Sequence, residues 1–300
     1  MNERKWIRRS LRSVAEALQE KGYSMSHMTV RRLLKQAKYS LKGNRKRLAS
    51  TSPQRDTQFR YLTWVRQSFE AAGHPVISVD TKKKELIGNF KNAGQVWCQE
   101  PEAVNIHDFL RDASGRAVPY GLYDPRHNLG YMMVGNSKET AEFAVDAIVA
   151  WWENPQRPSF PDESRLLILC DGGGSNSYRS RLWKLCLQDK LADALHIEVV
   201  VCHYPTGASK WNPIEHRLFS AISVNWAGQP LRTFQIMLEY IRHTTNATGL
   251  RVQATLMDKV YQTGIQVPDQ VMQTLNMEQS LVCPQWNYII KPRQSVAGAT

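Results

Sequence analysis

The chain has 300 residues, of which 42% are hydrophobic and 22% are charged, and its formal net charge is +12. No apolar run approaches the roughly 18 residues that a membrane span needs, and the charged start MNERKWIRRSLRS lacks the apolar stretch of a signal peptide. The five cysteines form no CxxC pair, which argues against a zinc knuckle or a disulfide framework. We therefore expect a soluble cytoplasmic protein, built either as one large α/β domain or as a small module plus a larger domain.

The positive charge is concentrated at the N-terminus. Residues 1–47 contain 14 of the 39 Lys and Arg residues but only three of the 27 acidic residues. A solvated cationic tail would lack apolar periodicity, whereas this segment has it. Concentrated positive charge suits a polyanion such as DNA.

Two short amphipathic helices are predicted in this basic segment. The first has apolar residues at helical spacing and stops at Gly22, with its stripe at Leu11, Val14, Ala15 and Leu18. The second, capped by Ser26, repeats that spacing at Val30, Leu33, Leu34 and Ala37. This helix-turn-helix pattern and the basic residues after it predict DNA contacts at Thr29, Arg31, Arg32, Lys35, Arg45, Lys46 and Arg47.

A helix-turn-helix normally needs a third helix to close its core, and ten residues precede the first helix here. Two interpretations stay open. The DNA-binding module is truncated at its N-terminus, or the segment after Arg47 completes it.

The rest of the chain alternates between strand-like and helix-like patterns. The polar segment 48–56, LASTSPQRD, predicts a linker, and a helix follows over about 58–72. Strands are then predicted at 75–80, 85–90, 117–124, 129–135, 165–170 and 197–205, with helices at 137–154, 178–195 and 213–226. This order indicates an α/β layered domain whose first strands pair antiparallel and whose later strands are added by helical crossovers.

Two aspartates close apolar strands. Asp80 ends PVISVD and Asp171 ends RLLILCD, and functional groups in α/β sheets gather beyond strand ends. Asp also ends strands simply because it favours turns, so either residue alone has a purely structural interpretation.

The glycine run GGGSNSYR follows Asp171. It permits either close approach of a large substrate or a simple turn before a helix capped by Ser175 or Ser177. No GxGxxG motif and no phosphate-loop lysine occur, so we expect no nucleotide site. No GxSxG motif occurs either, and His203 and His216 are interpreted as a strand-end and a helix-surface residue.

Glu215 has two compatible interpretations. Asn212 at the cap, Pro213 at the first helical position and Glu215 three residues after the cap form a local helix-start pattern. Glu215 also lies four residues before Phe219, on a stripe of core-seeking side chains, where an acid without a partner is costly.

Asp80, Asp171 and Glu215 together offer the oxygen ligands that Mg²⁺ or Mn²⁺ prefers, and two such ions can drive an in-line phosphodiester displacement. Flanking cations are then candidates for holding the DNA backbone: Lys82, Lys83, Lys84, Arg179, Arg181 and Lys210.

Several segments carry a likeness that spacing cannot supply: PVISVDTKKKELIGNFKNAG, YGLYD, LLILCDGGGSNSYRSRLWK, CHYPTGASKWNPIEHRLFS and TGLRVQATLMDKVYQTGIQV. They strongly resemble the DDE transposases of bacterial insertion sequences, most closely the ISAzo-type family. NPIEH is also similar to the C-terminal acid motif of mariner-like transposases. The likeness extends from the helix-turn-helix to about Ile290.

The resemblance implies an RNase H-like mixed sheet flanked by helices, after an all-α helix-turn-helix segment. Its catalytic, metal-binding acids map onto Asp80, Asp171 and Glu215, and the implied reaction is Mg²⁺-dependent hydrolysis at transposon ends followed by strand transfer to target DNA. The expected partners are double-stranded DNA and further copies of the chain, with no membrane and no nucleotide, and with nucleoid association in the bacterial cytoplasm.

The predicted domains are a helix-turn-helix segment at 1–47, a linker and connecting helix at 48–73, the RNase H-like catalytic domain at 74–290 and a tail at 291–300. Two other functions stay open. One is a repurposed or catalytically inactive DNA-binding protein, and the other is an RNase H-like nuclease that cuts without joining strands.

Overall fold

The computed structural model describes residues 9–41, 54–106 and 110–294. Its internal contacts divide the chain into two compact units, residues 1–49 and residues 50–300. None of the helices in these described ranges is long and apolar enough to cross a membrane.

The N-terminal unit contains helices α1 (Leu11–Gln19) and α2 (His27–Gln36), as the sequence predicts. Ser10 and Ser26 cap them, each accepting a hydrogen bond from the backbone N–H three residues later. Most residues of the predicted apolar stripes are only partly buried. Val30 is the one buried residue among those described between 9 and 41, and Leu33 is 44% exposed. Arg45, Lys46 and Arg47 lie outside the described residues.

The larger unit contains one long helix followed by an α/β arrangement. The helices are α3 (Gln54–Ala72), α4 (Ala141–Trp152), α5 (Arg181–Leu187), α6 (Ser220–Asn225), α7 (Phe234–Arg242) and α8 (Asp269–Met272). The strands are β1 (Val76–Thr81), β2 (Glu85–Ile87), β3 (Gly115–Asp124), β4 (Leu129–Gly135), β5 (Arg165–Cys170), β6 (Glu198–His203), β7 (Arg251–Met257), β8 (Met277–Gln279) and β9 (Asn287–Ile290).

The strands form a mixed sheet in the order β7-β4-β3-β1-β5-β6-β9-β8, with β2 paired to β3. At its centre β4, β3 and β1 pair antiparallel, and β5 and β6 are then added parallel to β1. Helix α4 provides the crossover from β4 to β5 and helix α5 the crossover from β5 to β6. The predicted mixed sheet flanked by helices is thus confirmed.

Alternation along the strands divides the core between the two faces of the sheet. On one face Ile77 and Ile168 pack with Trp151 of α4 and Trp183 of α5. On the other face, Val76 and Leu167 pack with α3 residues such as Phe69. Next to that second cluster, Ala117 and Tyr123 of β3 pack with Leu218, Phe219 and α7. Both faces are covered, which explains the continuous apolar runs in β1, β5 and β6.

The structure also differs from the sequence-based prediction. Helix α5 is capped by Ser180, whose hydroxyl accepts from the Trp183 N–H, not by Ser175 or Ser177. It continues as a π-helical turn over Gln188–Asp193. A second π-helical turn, Glu215–Phe219, precedes α6. Helices α7 and α8 and strands β7, β8 and β9 were not predicted.

Candidate active site

Asp80 and Asp171 lie at the same end and on the same face of the sheet. Val79 of β1 is the register partner of Cys170 of β5, so the two aspartates occupy the next positions along neighbouring parallel strands. Successive side chains on a strand alternate between faces, which places Asp80 with Val76 and Asp171 with Leu167, on the α3 side. The sheet therefore brings together two acids that are far apart in the sequence.

Glu215 reaches this face because the π-helical turn that it begins packs directly on the sheet. Gly121 of β3 is the register partner of Asp80, and a Cβ on Gly121 would overlap the Phe219 ring. The missing side chain allows Phe219 to lie against the strand. Single π-helical turns are frequent at functional sites, because the extra residue changes where side chains point.

Asn212 has a different role from the predicted helix cap. Its side chain is fully buried, accepts a hydrogen bond from the Ser78 hydroxyl, and donates to the Val79 carbonyl at 3.3 Å and to Asp171 Oδ1 at 3.4 Å. It links β1, the carboxylate after β5 and the turn that leads to Glu215. Sequence reasoning missed this contact because Asn before Pro is also an ordinary helix-start pattern.

The three carboxylates influence one another electrostatically. Burial, followed by repulsion from Asp171, raises the pKa of Asp80 to about 8, and Glu215 adds to the rise, although the Thr81 N–H opposes it by donating to Asp80 Oδ1 at 2.7 Å. Burial also raises the pKa of Asp171, with Asn212 opposing the shift and Glu215 increasing it. Such crowding of negative charge is the electrostatic environment that a bound cation would relieve.

The glycine loop after Asp171 is fixed by hydrogen bonds to neighbouring strands. The Tyr120 hydroxyl of β3 donates to Asn176 Oδ1 at 2.8 Å, and the Thr81 and Ser175 hydroxyls lie 3.3 Å apart. Gly174 has φ +60°, a left-handed conformation that favours glycine. The conformation of the loop is therefore held by hydrogen bonds to residues more than 50 positions away in the sequence.

His203 is buried beneath this loop. Its Nε2 lies 2.9 Å from the Asn176 carbonyl oxygen and its Nδ1 lies 3.0 Å from the Trp286 carbonyl oxygen. Burial lowers the pKa of His203 to about 4, so at neutral pH the ring is uncharged and donates to one carbonyl. His203 supports the loop and does not face the acids as a general base.

The predicted DNA-contacting cations near the acids differ in their surroundings. Lys82 is buried, with its Nζ 3.3 Å from Glu85 Oε1 and 4.5 Å from the Trp226 ring centroid, and so does not lie on the surface as expected for a backbone contact. Lys84 pairs with Glu139 and Arg181 with Asp269. The remaining predicted positions, Lys83, Arg179 and Lys210, are exposed.

The acids fit a divalent cation by the chemistry of their donor set, since three carboxylates supply hard oxygen ligands. Within the described ranges, no group of three or more His, Cys, Asp or Glu side chains is arranged to hold one metal ion by itself. Mg²⁺ is usually held by one or two carboxylates together with waters and substrate phosphates, so its binding does not need such a cage.

The sequence matches the family model described as Rhodopirellula transposase DDE domain over residues 1–292. The chain belongs to this family of transposases. No match was found among curated proteins.

Solved structures with a similar fold come from Mos1 transposase. They include its paired-end complex with the left transposon end (15% identity, 78% of this chain and 65% of that chain, TM-score 0.46). The Mos1 strand transfer complex (15% identity, 78% and 64%, TM-score 0.45) and the Mos1 mariner paired-end complex with Mn (15%, 78% and 65%, TM-score 0.45) are similar too. The chain spans 65% of the length of the first of these.

Proposed function

We propose that this transposase-family protein is the DNA transposase of an insertion sequence. It hydrolyses phosphodiester bonds at the ends of its element, and the freed 3′ hydroxyl then attacks a phosphodiester of target DNA, which joins the element to the target strand and releases the target's own 3′ hydroxyl as leaving group. The observation that carries the proposal is the placement of Asp80 and Asp171 at adjacent strand ends on one face, with the Glu215 turn packed on that face.

Asp80, Asp171 and Glu215 are the proposed metal-binding and catalytic acids, and Mg²⁺ or Mn²⁺, as two ions, is the proposed cofactor. Bound divalent cations would supply activation of the attacking water or 3′ hydroxyl and stabilisation of the leaving oxygen. The protein's part is to orient these acids. Asn212 does so by donating to Asp171 while it contacts β1 on its other side.

Exposed cations are proposed to hold the DNA. Lys83, Arg179 and Lys210 flank the acids in sequence and would contact phosphates there. On α2, Arg31, Arg32 and Lys35 are exposed and Thr29 is half-buried, and this face is proposed to bind the ends of the element. Assembly of several copies on DNA and a cytoplasmic, nucleoid-associated location belong to the same proposal.

Asp171→Asn tests the chemistry. We expect the variant to lose metal-dependent cleavage of a duplex that carries the DNA flanking this reading frame, while it keeps its affinity for that duplex, because the amide removes a charged ligand but preserves the shape. Cleavage would be followed on gels with Mg²⁺ and with Mn²⁺, and binding by fluorescence anisotropy. Asp56→Asn, which changes an exposed carboxylate on α3, is the matched control.

Full cleavage by Asp171→Asn would refute the assigned site. A target plasmid in the same reaction separates the other two functions. Cleavage without joined products would identify a nuclease, and binding by the unaltered chain without any cleavage would identify a DNA-binding protein.

A further inference from the structure

Beside the acids, two contacting aromatic rings lie between two cations and form a row: Arg55, Phe59, Trp211 and Lys210. Arg55 Cζ lies 5.4 Å from the Phe59 ring centroid, and Lys210 Nζ lies 5.2 Å from the Trp211 centroid. The two rings contact each other edge-on, with centroids 5.8 Å apart and planes at 67°. We call these four side chains the cation-aromatic row.

The row begins next to the proposed catalytic residues. Trp211 directly precedes Asn212, whose amide donates to Asp171. The Phe59 ring lies 6.5 Å from the ring of Tyr204, and the Tyr204 N–H donates to the carbonyl of Cys170, the residue before Asp171. The row therefore extends outward from the strand end that carries Asp171.

Trp211 keeps a large exposed surface in spite of these contacts. It is 56% exposed, whereas Trp151, Trp183 and Trp226 are buried. Its backbone is held, since the Trp211 N–H donates to the Ala208 carbonyl at 2.8 Å. An exposed aromatic ring on a fixed backbone, with the Lys210 ammonium beside it, has the features of the stacking platforms that bind single-stranded DNA.

A base within a duplex has both faces covered by its neighbours, so such a ring can accept only an unpaired base. We propose that Trp211, supported edge-on by the half-buried Phe59, forms a stacking subsite for an unpaired nucleobase of the DNA strand next to the acids, and that Arg55 and Lys210 hold its phosphates. The inference rests on the proposed function in one respect, that the ligand is DNA.

The test is binding of labelled single-stranded oligothymidylate in EDTA, followed by fluorescence anisotropy. We expect Trp211→Ala to bind about 5- to 150-fold more weakly, the range found when one stacked base loses its aromatic partner. Trp211→Phe should keep most of the affinity, since it retains a ring. Trp64→Ala is the matched control, because Trp64 is also exposed, at 62%, and lies outside the row.

An abasic oligonucleotide of the same length separates stacking from charge. The unaltered protein and Trp211→Ala should bind it equally, whereas Lys210→Gln should weaken binding to both probes. Equal binding of oligothymidylate by Trp211→Ala and the unaltered protein would overturn the inference. So would an equal weakening on both probes, since a general disturbance of the site would then explain it.

The EDTA assay is independent of the cleavage assay. Metal-dependent cleavage without a base-specific effect of Trp211 would leave the proposed function and remove the stacking subsite. A base-specific effect of Trp211 without metal-dependent cleavage would support the stacking subsite and refute the proposed function.

Discussion

The two units of the chain differ in what holds them together and in what they offer to DNA. In the described part of the N-terminal unit Val30 is the one buried residue, and Arg31, Arg32 and Lys35 of α2 are exposed. In the larger unit the acids sit among buried polar contacts, and nearby cations are partly neutralised by ion pairs, as at Lys82 with Glu85. Exposed charge acts at long range and is screened by salt, whereas buried hydrogen bonds fix geometry and are insensitive to it. The comparison predicts that changes at the acids and their buried partners will alter cleavage, and that changes at the exposed cations of α2 will alter affinity for DNA.

The largest of the effects that test this comparison is expected on the cleavage rate of Asn212→Ala. It leaves the Ser78 hydroxyl and the Val79 carbonyl without their partner and releases Asp171. We expect the cleavage rate to fall about 10- to 100-fold, as for other partners of metal-binding side chains, with duplex affinity unchanged. Cleavage rates would be measured over a range of Mg²⁺ concentrations.

A positioning role also predicts that Asn212→Ala needs more Mg²⁺ for half-maximal cleavage, which a smaller fraction of folded protein alone would not produce. The control is Asn136→Ala, which removes an exposed amide that donates to Asp258. An unchanged rate and an unchanged Mg²⁺ requirement would show that Asp171 is oriented without Asn212.

The elements that carry the acids were predictable because their signals are local. Continuous apolar runs predicted β1 and β5, and an aspartate directly after such a run placed Asp80 and Asp171 at strand ends. Glu215 was predicted as the third acid because its spacing to Phe219 puts an acid on an apolar stripe. The partners of the acids were not predictable, since Asn212 contacts residues more than 40 and more than 130 positions away. Hydrophobic periodicity in the sequence does not indicate contacts between residues so far apart.

The missed elements have equally physical reasons. In β7 the buried Val252 and Ala254 alternate with more exposed residues, but β7 pairs parallel to β4, from which it is separated in the sequence by α4, β5, α5, β6, α6 and α7. Strand β9 has four residues, too few for a distinct pattern. Burial of Lys82 was also hidden, because its run with Lys83 and Lys84 suggests a solvated surface, and the ring of Trp226 that covers it comes from distant sequence.

An intermediate effect is expected in the N-terminal unit from the combined change Arg31→Gln, Arg32→Gln and Lys35→Gln. Each phosphate interaction that the variant removes should reduce the slope of log K against log salt by about 0.9, so the slope should flatten by up to roughly 2.7 if all three residues bind phosphates. The measurement is duplex affinity by anisotropy at several salt concentrations.

Cleavage at saturating DNA should stay normal in this triple variant, because the acids are untouched. The matched control neutralises three exposed cations elsewhere on the chain, Arg60, Arg126 and Lys138. A salt slope that stays unchanged in the α2 variant would place the phosphate-binding residues elsewhere and end the proposed division of labour.

The smallest effect concerns stability and comes from the crowded acids. The pKa of Asp80 is about 8 in the folded protein and near 3.8 when the residue is unperturbed, so between these values the unfolded chain releases a proton that the folded chain keeps. The free energy of unfolding of the metal-free protein should therefore fall as pH rises from about 4 to 8 through this group. Asp80→Asn should remove this part of the decline and raise Tm at pH 8 by about 2 to 4 °C, which corresponds to roughly 1 kcal/mol in a domain of this size.

Mg²⁺ should reduce this Tm difference between Asp80→Asn and the unaltered protein. A bound cation favours the ionised carboxylate, so Mg²⁺ at pH 8 should raise the Tm of the unaltered protein more than that of Asp80→Asn. Asp56→Asn controls for the removal of one negative charge at an exposed position. If the unaltered protein and Asp80→Asn showed the same pH dependence, with and without Mg²⁺, the acids would not share one electrostatic site. The contrast between acids held in place by buried contacts in the larger unit and exposed cations on α2 would then lose its physical basis.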